Sequence, residues 1–342
     1  MRRHSPRFAA LALACLCLPA PAASVVPPGA SPQSLAHTYS IVARDPATGE
    51  LGVAVQSHYF SVGPIVPWVE PGVGAVATQS LVLVDYGPLG LALMRQGFTA
   101  RHALDSLLRA DEHRDGRQVA MVDAAGGVAA YTGPMCIPDA GDLQGAQFSV
   151  QGNLMSNATV WPAMKTAFEA AKGDLAERMM VALEAAERAG GDIRGRQSAA
   201  MVVMKGTPSG KPWNDYLVNL RVEDHEEPLK ELRRLLRLRR AYNFEDEGDA
   251  HTAAKRPVEA GRAYAEAAKL APDVVELQFW AALSMYTNGQ ESEGLALFRK
   301  VFARESRWID LIPRLAKAGL FPDDAKKIAE VQNQKPRGRT LR

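Results

Sequence analysis

Four side chains in this 342-residue sequence are candidates for chemistry: Thr38, His58, Cys136 and Asn153. Thr38 opens the stretch TYSIVARDPATGELGVAVQS, at the head of a strand. A threonine hydroxyl becomes a useful nucleophile only when a base takes its proton. One such base is the α-amine of the same residue, which titrates at about 7.7 to 8.0 when free. That chemistry requires Thr38 to be a chain end; otherwise Thr38 simply begins a strand. Cys136 follows Thr132-Gly133-Pro134 in a loop and is the rival nucleophile, but a thiolate needs a basic partner and none is adjacent in sequence. His58, after Gln56-Ser57, can present an imidazole at the end of the second strand. Asn153, after Gln151-Gly152, can aim an amide at a developing oxyanion, with Gly152 letting the backbone approach. Gln79-Ser80 and Gln197-Ser198 are similar polar pairs, although polar residues commonly finish strands. Asp45 reads as turn chemistry that can pair with Arg44.

The elements that must position these groups follow from periodicity. Ser40 to Ala43 and Leu51 to Gln56 are apolar strands around the turn Asp45-Pro46-Ala47-Thr48-Gly49. Trp68 to Gly72 turns the chain into Val73 to Gln79, a strand of small residues suited to close approach of two layers. Tyr86 to Arg109 has helical spacing, with Gly97 ending one helix and Thr99 capping the next. Gln118 to Asp123 and Gly127 to Tyr131 form a hairpin, and Phe148 to Gln151 is a further short strand. Two amphipathic helices (159–171 and 175–189) precede the strands Ala199 to Met204 and Tyr216 to Val222. Helices come in pairs between groups of strands, which argues against a doubly wound parallel sheet. The expected class is α+β: two mostly antiparallel sheets face to face with a helix pair on each outside, a four-layer αββα sandwich.

Composition excludes several functions. Hydrophobic residues make up 47% and charged residues 23%, an ordinary globular balance. The net charge of +2 falls to about −1 once Arg2, Arg3 and Arg7 of the leader are discounted, which argues against nucleic acid held by bulk charge. The opening MRRHSPRFAALALACLCLPAPAA has the basic, apolar and small-residue regions of a secretory signal (1–23), with an A-x-A site at Ala20-Pro21-Ala22. A lipoprotein reading at Cys15 would cut the apolar run short. Periplasmic or secreted localisation is expected, with a Pro/Ser/Ala-rich linker or propeptide over 24–37 and no other membrane span. Cys136 is the one cysteine beyond the leader, so no intrachain disulfide is expected. The seven histidines are scattered without HxH, HExxH or CxxC patterns, so no metal is expected. No cofactor is expected either: the Gly-x-Gly at 72–74 leads into a strand, not a helix.

The stretches TYSIVARDPATGELGVAVQS, GVGAVATQS, YGPLGLALM, RQVAMVDAAGGVAAYTG, CIPDAG, VQGNLM, GGDIRGRQSAAMVV and VNLRVEDHEEPLKELRRLL keep their order over about 200 residues. Together they resemble an uncharacterised prokaryotic family of the Ntn-hydrolase (N-terminal nucleophile) superfamily. The resemblance implies the αββα sandwich over 38–240 and Thr38 as a nucleophile with its own amine as base. It also implies a basic side chain near that amine, which His58 can supply. The resemblance implies cytoplasmic relatives that begin Met-Thr, whereas here His37 and Leu35 make a poor signal-peptidase site. Exposing Thr38 here therefore needs a second cleavage.

From Pro228 the character changes. PLKELRRLLRLRR reads as an amphipathic helix closing the first domain, with an anionic-surface or nucleic-acid patch as the alternative, which no interleaved aromatic supports. Over 241–308 a period of 34 emerges: Ala260, Tyr264, Ala267 and Pro272 recur as Gly294, Phe298, Val301 and Ser306. That spacing is similar to tetratricopeptide (TPR) repeats, which implies an all-α module over 241–330, two repeats and a following helix from Trp308 to Ala318, that binds a protein partner, before a basic tail over 331–342. The expected function is an exported hydrolase of a small-molecule or peptide amide, acting through Thr38. The alternative is a non-catalytic binding protein that works through its repeats, and a homo-oligomer is open by analogy with such sandwiches.

Overall fold

The computed structural model describes residues 34–335; the expected leader, most of the expected linker and the end of the basic tail lie outside them. In chain order come β1 (Ser34–Ala36), β2 (Thr38–Arg44), β3 (Leu51–Ser57), β4 (Pro67–Glu70), β5 (Gly74–Val82), α1 (Tyr86–Arg95) and α2 (Ala100–Ala110). Then follow β6 (Arg117–Asp123), β7 (Val128–Thr132), β8 (Gly141–Gly145), β9 (Phe148–Gly152), α3 (Val160–Ala170), α4 (Leu175–Arg188), β10 (Ser198–Met204) and β11 (Tyr216–Val222). The remaining helices are α5 (Pro228–Ala253), α6 (Pro257–Leu270), α7 (Val275–Thr287), α8 (Glu291–Arg304), α9 (Ile312–Lys317) and α10 (Ala325–Gln332).

The strands form two antiparallel sheets. One runs β1-β5-β6-β7, with β4 also on β5; the other runs β11-β10-β3-β2-β9-β8. Alternation along each strand decides what each face packs against. On β2, Tyr39, Ile41 and Ala43 join Met164 and Phe168 of α3 and Met179 and Leu183 of α4 in one core. Val42, on the opposite face of β2, meets Val53 and Val55 of β3 and Ala75, Ala77, Ala120 and Val122 of the other sheet. That sheet turns Val76, Val119 and Met121 outward against Leu93, Leu104 and Leu107 of α1 and α2. The layers are thus helix pair, sheet, sheet, helix pair. Alanine and valine dominate the middle layer, so the sheets approach closely there.

Local chemistry sets the turns. Asp45 Oδ1 accepts from the backbone N–H groups of Ala47 and Thr48, and Gly49 takes φ +75° to bring the chain back into β3. Asp45 pairs with Arg178 at 3.3 Å rather than with Arg44, whose guanidinium donates to Gln147. Thr99 caps α2 by accepting from the His102 amide.

Four expectations need correction. Residues 34–36 of the expected linker form β1, paired with β5. Pro67–Glu70, which overlaps the turn expected over Trp68 to Gly72, is strand β4, and the short polar Gly141–Gly145 is strand β8. The boundary expected at residue 240 falls inside α5, whose Leu229, Leu232 and Leu236 pack on the sandwich and whose Ala241 packs with Ala267 and Leu277 of the helices beyond. Finally, the helix expected over 308–318 is split into a 3-10 turn (Ser306–Leu311) and α9.

Beyond the sandwich, α5 packs with α6, and α7 with α8. Gly248 of α5 lies where an added Cβ would be 2.6 Å from the Tyr264 ring of α6. Thirty-four positions on in sequence, Ala282 of α7 and Phe298 of α8 share a core. A small residue against an aromatic thus recurs in both helix pairs. No described helix is long and apolar enough to cross a membrane.

Candidate functional site around the His37–Thr38 peptide bond

At one end of the middle layer the inward positions turn from apolar to polar. Thr38 and Ser40 on β2, Ser57 on β3, Gln79 on β5, Gln118 on β6, and Ser149 and Gln151 on β9 are all buried there, with Asn153 just past β9. An unpaired buried polar group is costly, so such a cluster persists only when its members satisfy one another. Ser40 Oγ donates to Gln79 Oε1 at 2.6 Å and accepts from Gln151 Nε2 at 2.6 Å. Gln118 Oε1 accepts from both Gln79 Nε2 and Asn153 Nδ2, at 2.7 and 2.9 Å, while Gln118 Nε2 donates to the Gly152 carbonyl at 2.8 Å. The carbonyl of Thr38 accepts from the Asn153 amide at 3.1 Å and from Gln79 Nε2 at 3.2 Å. Thr38 is therefore fixed through its own main chain.

Register then places the hydroxyls. Thr38 pairs with Ser57 across β2 and β3. Thr38 Oγ1 lies 2.8 Å from the Ala36 carbonyl and 3.1 Å from Ser57 Oγ. Ser57 in turn donates to the carbonyl oxygen of His37 at 2.6 Å. The same oxygen accepts from Arg194 Nη2 at 2.7 Å. Arg194 is oriented by Asp192, which takes Nε at 3.0 Å on one oxygen and Nη2 at 2.7 Å on the other. One charged and one neutral donor thus converge on the carbonyl of the peptide bond that leads into Thr38, an oxyanion-hole arrangement.

The other predicted residues divide. Asn153 belongs to the site: its Oδ1 accepts from His37 Nδ1 at 2.7 Å while its amides hold the Thr38 carbonyl. Burial, with help from the Arg194 charge, lowers the His37 pKa against the pull of Asn153 and Asp192, which favours the neutral imidazole. The basic group that reaches the His37–Thr38 bond is Arg194, while His58 sits half-buried beside it with its backbone N–H donating to Asp192 Oδ2 at 3.3 Å. The Cys136 thiol is buried and donates to the Arg117 carbonyl at 3.3 Å, and burial pushes its pKa up, which holds it as an unreactive thiol. Of the polar pairs, Gln79 joins the network, whereas Gln197 donates to Asp224 and Ser198 to the Tyr59 carbonyl. Among the described residues no group of three or more His, Cys, Asp or Glu side chains is disposed to hold a metal.

Sequence reasoning passed over Ser57, Gln118, Arg194 and His37. The available signal was polar residues at inward strand positions that should be apolar, recurring at one end of several strands.

Thr38, where this geometry is centred, is also where the sequence match begins. Residues 38–232 match the model of a family described as "Family of unknown function (DUF1028)". The chain belongs to this family. The DUF1028 segment spans the sandwich from β2 into α5 and holds Ser57, Gln79, Gln118, Asn153 and Arg194, with His37 immediately before it. A similar solved structure is protein SPO2555 from Silicibacter pomeroyi, itself described as DUF1028. It is 32% identical, with a TM-score of 0.53, over 58% of this chain and 88% of the other. No curated protein matches the sequence.

Proposed function

We propose that this chain is an exported amide-bond hydrolase on an Ntn-hydrolase sandwich, with Thr38 as nucleophile once the His37–Thr38 bond has been cut. The observation that carries it is the convergence of Ser57 Oγ and Arg194 Nη2 on the His37 carbonyl, with the Thr38 hydroxyl one residue along. The same groups supply a route to the cut. Thr38 Oγ1 adds to the His37 carbonyl carbon while Ser57 relays a proton: it takes the one from Thr38 Oγ1 and gives its own to the carbonyl oxygen. Collapse of the adduct re-forms the C=O, passes its hydroxyl proton to nitrogen and breaks the C–N bond, which leaves an ester to Thr38 Oγ1 and a free α-amine. Water hydrolyses the ester to a carboxylate on His37. Thr38 then carries a hydroxyl and an amine of about the right basicity to deprotonate it at neutral pH. A substrate carbonyl takes the place of the His37 carbonyl, beneath Ser57 and Arg194.

Export is supported by the basic-apolar-AxA opening of the sequence. We read the helices after α5 as a TPR-like module that recruits a protein partner or large substrate, on the strength of the 34-residue period and the repeated small-against-aromatic packing. A second reading, a binding protein without catalysis, is favoured by the full burial of Thr38 with its nitrogen in a peptide bond.

The deciding experiment is the N-terminal sequence and intact mass of the protein recovered from the compartment it is exported to. A chain that starts at Thr38, with Thr38→Ala left uncut and Thr38→Ser cut more slowly, supports the hydrolase. A stable chain that keeps residues 34–37 removes it in favour of the binding protein.

A further inference from the structure

The strand that precedes Thr38 does more than lead into it. β1 lies antiparallel on the edge of β5, with Ser34 opposite Val82, Leu35 opposite Leu81 and Ala36 opposite Ser80. The rest of that edge belongs to β4, from Pro67 opposite Ala77 to Glu70 opposite Gly74. Residues 34–36 therefore fill a strand-shaped slot that runs from Val82 of β5 toward β4 and delivers the chain to the Thr38 hydroxyl. Inside it the Ala36 methyl is fully buried in the core between the sheets with Val82 and Val62. The next side chain, His37, is almost fully buried, with Nδ1 on Asn153. Its carbonyl oxygen sits under the two donors that the reaction needs.

Building on the Thr38 reading, we propose that this slot on the β5 edge is the acyl-side substrate cleft, and that the substrates are extended peptides with a small residue followed by a histidine before the cleaved bond. Residues 34–37 then occupy the cleft as the chain's own first substrate. Pairing to a strand edge supplies affinity through the main chain, and pockets under alternate side chains supply selectivity. The position of Ala36 leaves room for a methyl group, and the position of His37 offers the Asn153 carbonyl to a donor. In turnover, Thr38 Oγ bonds to the carbonyl carbon of the residue that stands in the place of His37. The Thr38 α-amine takes the hydroxyl proton and gives it to the departing amine as the C–N bond breaks. Water then adds to the ester, breaks the bond to Oγ and releases a carboxylic acid.

The test uses the full-length protein after processing, confirmed by mass to begin at Thr38. The probes are the p-nitroanilides of acetyl-Ser-Leu-Ala-His, acetyl-Ser-Leu-Phe-His and acetyl-His, with fluorescently labelled Ser-Leu-Ala-His acid for binding. The alanine tetrapeptide should be cleaved with a kcat/KM about 100-fold above the phenylalanine peptide and above acetyl-His. The labelled acid should bind and be displaced by its unlabelled form but not by Ser-Leu-Phe-His. Equal cleavage of acetyl-His and the tetrapeptide overturns the cleft and leaves the Thr38 reaction standing. Binding of the labelled acid with every anilide left intact keeps the cleft and overturns the reaction. Absence of both binding and a preference for the tetrapeptide overturns the cleft.

Discussion

Arg194 donates to the main-chain carbonyl of His37 at 2.7 Å, across 157 positions of sequence, and so sets a fixed positive charge on the peptide bond that enters Thr38. Its side chain is 29% exposed, while that of its carboxylate partner Asp192 is fully buried. Removing the guanidinium therefore does two separable things. In Arg194→Gln the Asp192 carboxylate loses its charged partner and keeps only backbone N–H donors. Urea denaturation should register a loss of about 2 kcal/mol, below the ~3–5 kcal/mol of a fully buried pair because water reaches Arg194. Cleavage before Thr38, followed by mass over time, should slow by roughly 100-fold or more, as for the loss of an oxyanion donor. Arg194→Lys keeps the charge without the two-pronged grip on Asp192 and should fall between.

Ser57 provides the cleaner kinetic test because it carries no charge. In Ser57→Ala both the 2.6 Å bond to the His37 carbonyl and the neighbour of Thr38 Oγ1 at 3.1 Å disappear. Stability should drop by only about 1 kcal/mol, the net worth of one hydrogen bond, while cleavage slows by about 100- to 1,000-fold. Equal loss in stability and rate would mark Ser57 as a packing residue.

A buried ion pair formed by the residue before Gln118 contributes a pH-dependent part of the stability. Arg117 and Asp111 are both buried and 2.9 Å apart, and Tyr86 Oη donates to the same carboxylate at 3.0 Å. Burial alone would raise the Asp111 pKa, but the bonds from Arg117, the His113 amide and Tyr86 outweigh it and hold the pKa below the usual value of 3.8. The folded state therefore binds this proton less readily than the unfolded chain. The stabilisation is fully present above about pH 5 and is lost as the pH falls through and below 4. Asp111→Asn should be about 3 kcal/mol less stable at pH 7, and the gap to the parent should narrow in denaturation curves taken at pH 3.

In the helical part the sign reverses. Glu245 on α5 is raised to about 7, by burial first and then by the charges of Glu276, Asp249 and Asp246. Here the folded state holds the proton more tightly than the unfolded chain does, so stability declines as pH rises from about 4.5 to 7 and then levels off. Glu245→Gln should melt at the same temperature as the parent at pH 4 and several degrees higher at pH 8, read by circular dichroism.

Much of the sandwich was legible because its signals are local. The Asp45–Gly49 turn, the Thr99 cap and the alternation on β2 and β3 each lie within a few residues. β8 was not legible, since GDLQG offers neither a β-branched run nor alternation, and its strand form comes from pairing with β9. The course of α5 was hidden by a change in composition that falls in mid-helix. Thr38 and Asn153 were legible as candidates through residue type and position. Ser57 and Arg194 were not, because register across β2 and β3 puts one beside Thr38, and the fold of the loop after α4 brings the other to His37. A serine ending a strand and an arginine in a glycine-rich loop look ordinary until those pairings are made.

The unbroken course of α5 has a mechanical consequence. Its 26 residues make a rod about 39 Å long, clamped to α4 where Arg233 and Arg240 both reach Glu177. Torque applied to the half of α5 beyond residue 240 passes to the sheets along one continuous helix. Both halves should tumble in solution as a single particle, and a protease that nicks between helices has no exposed joint at residue 240 to find.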